Sequence, residues 1–137
     1  MKRAGQILWI LLLSLCIAGC GIRSMSGQEE QELDFTVVKE ENIPDEVRDI
    51  LQEHKGEKFQ MTYQSEDYLY IMVGYGLQNS GGYSIAVEGL TLAGEGICCE
   101  TRLLGPDGGE ELTTAVSYPY IVIKTEYRDA PVLFRES

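Results

Sequence analysis

Residues 68–73 read YLYIMV, apolar or aromatic at every position. An unbroken run of this length suits a strand covered on both faces. Elsewhere the pattern alternates. Phe59, Met61 and Tyr63 interleave with Gln60 and Thr62, and Tyr83, Ile85 and Val87 interleave with Ser84, Ala86 and Glu88. Both are period-two patterns, expected of strands with one buried side. Ile97, Cys99, Thr101 and Leu103 fall on one face of a further strand, with Cys98, Glu100 and Arg102 on the other. Residues 35–38 predict a short first strand, Ile121-Val122-Ile123 a later one, and Pro131-Val132-Leu133-Phe134 a last extended segment along an edge. One stretch departs from the β pattern: Val47, Ile50 and Leu51 recur at helical spacing. Pro44, Asp45 and Glu46 suit the first turn of that helix, and Lys55 and Gly56 its end. The fold class predicted is mainly β (α+β), a small antiparallel sheet or sandwich with one N-terminal amphipathic helix.

The connections carry most of the glycine. Gln64 to Asp67 and Ala93-Gly94-Glu95-Gly96 predict hairpins, and Gly105-Pro106-Asp107-Gly108-Gly109 breaks the chain. The stretch GYGLQNSGGY, residues 74–83, joins two strands, and its Asn79-Ser80-Gly81-Gly82 core tolerates positive φ. Two readings stay open for it: glycines that only reverse the chain, or a loop held to bind something. Ser117-Tyr118-Pro119-Tyr120 places a proline at a strand start, where no ladder hydrogen bond is needed. Tyr118 and Tyr120 flank it on one side of the chain, either offered to a partner or packed as core.

The N-terminus changes the picture of where this domain resides. Lys2 and Arg3 precede an apolar stretch too short to span a bilayer as a mature helix, closed by Ile17-Ala18-Gly19-Cys20. That closure resembles the lipobox of bacterial lipoproteins. It implies a signal peptide over residues 1–19 and acylation of the Cys20 thiol. Acyl chains contribute about 0.8 kcal/mol per buried CH₂, so two or more hold a protein at a membrane. Residues 20–34 are polar and acidic with no apolar period, and are expected to form a flexible tether. Residues 35–137 suffice for one core, hence a single β-rich domain. The location expected is the cell envelope, on the outer face of the cytoplasmic membrane or on an outer membrane.

The formal net charge is −11. A nucleic-acid or anionic-lipid surface repels such a chain, so no nucleic-acid partner is expected. Catalytic chemistry is poorly supplied. The single histidine, His54, falls beside Ile50 and Leu51 near the helix end, where the dipole alone accounts for it. There is no His-Glu-x-x-His, no Cys-x-x-Cys and no phosphate loop. Cys98 and Cys99 point to opposite faces of a strand, so two free thiols are expected. Asp107, Glu110 and Glu111 in one loop could hold calcium, but their spacing matches no EF-hand and a solvated acidic loop is the favoured reading. The expectation is a protein that is not an enzyme and carries no cofactor.

Asn79-Ser80-Gly81-Gly82-Tyr83-Ser84-Ile85, Leu104-Gly105-Pro106 and Ser117-Tyr118-Pro119-Tyr120-Ile121-Val122 together resemble the PrcB C-terminal domain family, over residues 68–124. The family's turn carries Pro-Thr where this chain has Asn79-Ser80. The resemblance implies a small β-rich extracytoplasmic domain on a lipoprotein. It also implies an accessory role in maturing or stabilising a surface protease. From the turn glycines and tyrosines themselves, Asn79, Ser80, Gly81, Gly82, Tyr83, Tyr118, Pro119 and Tyr120 are the expected partner-binding residues. The order of these three turns is also similar to the loops that immunoglobulin-like cysteine-protease inhibitors present to their targets. An inhibitor is therefore the alternative reading.

Overall fold

The computed structural model of the chain describes residues 30–106 and 115–137. The expected signal peptide, Cys20, and the acidic-loop residues Asp107, Glu110 and Glu111 lie outside them. Among the described residues eight strands form two four-stranded sheets. In chain order they are β1 (Gln31–Glu32), β2 (Phe35–Val37), β3 (Lys58–Ser65), β4 (Tyr68–Tyr75), β5 (Ser84–Ala93), β6 (Gly96–Leu104), β7 (Tyr120–Glu126) and β8 (Val132–Glu136). One sheet has the order β2-β7-β4-β3 and the other β1-β5-β6-β8. Helix α1 (Asp45–His54) follows a 3₁₀ turn at Glu40–Asn42. Among the described residues no helix is long and apolar enough to cross a membrane.

The first sheet is the middle layer. Leu69, Ile71 and Val73 of β4, with Ile121 and Ile123 of β7, pack against Leu90, Ile97 and Cys99 of the second sheet. Tyr70, Met72 and Val122 point the other way, onto Val47 and Leu51 of α1 and Phe59 of β3. Two covered faces are the reason β4 is an unbroken apolar and aromatic run from Leu69 to Val73. The second sheet has one face against this core and the other toward solvent, so Cys99 is buried while Arg102 and Leu133 are exposed.

Three features depart from the sequence pattern. The tether expected over residues 20–34 overlaps ordered chain, because Gln31 and Glu32 pair with Leu92 and Thr91 of β5. Leu33 then buries itself in the core and donates its amide to the Leu90 carbonyl at 2.9 Å. A lone leucine among acids has no period, so pattern reading cannot find it. Second, Glu88 is an extra residue between the pairs Val87↔Thr101 and Gly89↔Glu100. This bulge shifts the parity, and the inward set becomes Ile85, Val87, Leu90 and Leu92. Third, β8 runs parallel to β6. The 127–131 crossing enters the second sheet beside Gly96–Ile97, where Pro131 accepts the Ile97 amide at 2.8 Å, so β8 must run in the direction of β6.

Candidate functional site

The two turn-rich stretches lie at the same pole. β4 ends at Tyr75 and β7 begins at Tyr120, and Gly74 pairs with Tyr120. Residues 76–83 are therefore a crossing from the first sheet to the second, not a reversal within one sheet. Gly76 starts the crossing at φ +76°, and a Cβ there would sit 3.2 Å from the Lys58 backbone nitrogen. Gly82 ends it at φ +86°. Both positions need the left-handed region that only glycine enters cheaply.

Direct hydrogen bonds tie this crossing to residues 117–119. Gln78 and Ser117 exchange backbone bonds at 2.8 and 3.1 Å, and the Ser117 hydroxyl donates to the Ser80 carbonyl at 2.6 Å. The Tyr75 amide donates to Pro119 at 3.1 Å. Pro119 has no amide to give, and its carbonyl does the work at the strand start. These links fix the loop although residues 76–83 contain no proline. A third turn joins the same pole, since the Tyr83 ring lies 3.6 Å from where a Cβ on Gly105 would stand.

Tyr118 and Tyr120 do share one side, as their spacing predicts, and that side faces the helix. With Ile43, Leu51, Phe59 and Pro119 they line a cleft of about 130 Å³. Lys55 stands 6.0 Å from the Tyr118 ring centroid, and Arg48 donates from Nη2 to the Glu40 carbonyl at 2.9 Å. Burial pushes the Tyr120 hydroxyl above its ordinary range, and the Glu40 carboxylate adds to that while Arg48 opposes it. Tyr118 and Tyr120 remain 36% and 39% exposed, enough for a partner to touch.

Of the helical segment's contributions to this cleft, Leu51 belongs to the apolar stripe, whereas the cations have no signal in the chain pattern. Arg48 and Lys55 sit outside the apolar stripe of the helix, and only tertiary packing brings them to the tyrosines. Tyr83 separates from the pair, turning toward Gly105. The eight residues read as partner-binding thus occupy one pole and two of its flanks. Among the other candidates, His54 borders the cleft through Phe59. His54 Nδ1 lies 3.6 Å from Glu57 and its ring centroid 6.1 Å from that of Phe59. Cys98 and Cys99 are both free, and burial, with Cys98 beside it, pushes the Cys99 thiol up to about 11, so it is an inert core group. Among the described residues no three His, Cys, Asp or Glu side chains gather as a metal site.

Residues 69–126 match the family model described as PrcB C-terminal. No curated protein and no solved structure matches the chain. The matched residues contain β4 to β7 and all three turns, while α1 and its half of the cleft fall outside.

Proposed function

Taking residues 69–126 as a PrcB C-terminal segment, we propose that this chain is a non-catalytic, lipid-anchored binding module of the cell envelope. It is anchored through Cys20, and its turn-bearing pole captures an extracytoplasmic protein. The observation that carries this reading is the locking together of residues 76–83 and 117–119 by Gln78, Ser80 and Ser117. A loop already held in place loses little entropy on binding, which favours recognition. The described chain starts at the opposite pole, where Gln31 pairs with Leu92 and Phe35 with Thr125, so a tether there leaves the turns unobstructed. The likeness to the PrcB C-terminal family favours a protease complex as the partner class.

The test is photo-crosslinking from the full chain in cells. A crosslinker at Leu77 or Asn79, both exposed in the crossing, is expected to trap one discrete polypeptide. The same group at Glu88, on the open face of the second sheet, is expected to trap none. Equal products from all three positions would remove the recognition pole. The approach of the Tyr83 ring to Gly105 favours a second reading, a three-turn inhibitor surface. Slowing of a papain-like protease by micromolar protein would select it.

A further inference from the structure

The four edge strands of the two sheets are unequal. β1 has two residues, β2 three and β8 five, whereas β3 has eight. Short edges resist pairing with other chains; a long regular one invites it. β3 carries neither proline nor glycine and pairs with β4 in unbroken register from Lys58↔Tyr75 to Ser65↔Tyr68. Among the described residues no strand pairs with its outer side. We propose that β3 joins the β3 of a second copy of this chain, antiparallel about a two-fold axis at Thr62, making one continuous eight-stranded sheet.

The residues of β3 complement themselves in that register. Met61 faces the second copy's Tyr63 and Gln60 its Gln64, Thr62 meets Thr62, and Lys58 comes opposite the second copy's Glu66. Methionine against an aromatic ring and amide against amide are favourable cross-strand pairs. Moving the register by two residues in either direction loses the Lys58 to Glu66 match. Met61 and Tyr63 are only half-buried at the rim of the helix-side core, and the pairing would cover them. Charge supports the same occupant. The chain holds 22 acidic residues, yet none lies in β3, whose one charge is Lys58. Copies that repel through the rest of their surface can meet along this strand. Lys58 also bonds Glu136 at 2.8 Å, but it is 57% exposed and open to a second carboxylate. The two recognition poles point away from each other in the pair, so both stay free.

The test uses the full chain in detergent, with Cys98→Ser to remove the half-exposed thiol. Thr62→Cys in that background is expected to form a reduction-sensitive dimer, because the two thiols meet at the axis. Gln52→Cys, on the exposed face of α1, is expected to stay at the level of the Cys98→Ser chain. Thr62→Lys places two cations face to face and is expected to halve the unsubstituted protein's mass while its circular dichroism keeps the β signature of the folded chain. A monomer mass for the unsubstituted chain, or equal trapping at positions 52 and 62, would overturn the proposal. So would capture of a different polypeptide by Thr62→Cys, which would assign the edge to a foreign strand.

Discussion

The two sheets obey opposite rules. The β2-β7-β4-β3 sheet is covered by α1 on one side and by the second sheet on the other, so β4 tolerates no polar side chain along most of its length. The β1-β5-β6-β8 sheet has one open face, where Glu88 and Arg102 pair at 2.9 Å. The covered sheet is the frame from which the recognition pole hangs, since Tyr75 and Tyr120 sit at the ends of its central strands. The open sheet completes the core and leaves room for change. Substitutions should therefore separate the two sheets sharply. Ile71→Ala and Met72→Ala remove fully buried side chains from the two faces of one strand. Each is expected to cost about 2 to 5 kcal/mol in denaturant unfolding. Arg102→Ala on the open face should stay within about 0.5 kcal/mol. Equal losses would mean that the open face is covered in solution.

Glycine gives the next contrast. At Gly74 the Phe59 ring occupies the space a Cβ would take, while at Gly89, in the β5 bulge, nothing lies within 4 Å. The ring over Gly74 restores the apolar cover that a missing side chain forfeits. Gly74→Ala is expected to cost about 1 to 3 kcal/mol by displacing a buried ring, and Gly89→Ala close to nothing. Melting curves of the two variants check this. Similar curves would show that Phe59 moves aside freely.

The covered sheet was also the more legible one. The run at residues 68–73 has no other good explanation, and the alternation at Phe59, Met61 and Tyr63 survives intact in β3. The second sheet hides itself. The Glu88 bulge breaks the period in β5, the parallel course of β8 depends on where the chain crosses, and β1 is held by one leucine in an acidic segment. At the site, Tyr118 and Tyr120 could be placed on one side from their spacing alone. Their meeting with the 76–83 crossing could not, because the Gln78 and Ser117 backbone bonds join segments nearly forty positions apart and leave no trace in local pattern. The glycines of residues 74–83 suggested a tight reversal. They serve a passage between layers instead, a distinction that turn chemistry alone does not make.

The sheets also meet through a buried polar pair between their core faces. Tyr75 Oη and Thr101 Oγ1 are 2.7 Å apart, and Thr101 is 2% exposed. The surrounding contacts are apolar, so this pair costs more to break than to replace. Tyr75→Phe strands the buried Thr101 hydroxyl and is expected to destabilise by about 1 kcal/mol or slightly more. Thr101→Val added to it removes the stranded group and should return much of that loss, giving a favourable coupling of about 1 kcal/mol in a double-mutant cycle. Tyr75 also donates its amide to Pro119, and that bond belongs to the backbone and survives both changes. Crosslinking from Asn79 should therefore be unaltered in the double variant. A loss of crosslinking there would mean that the tyrosine hydroxyl, and not the backbone ladder, sets the pole.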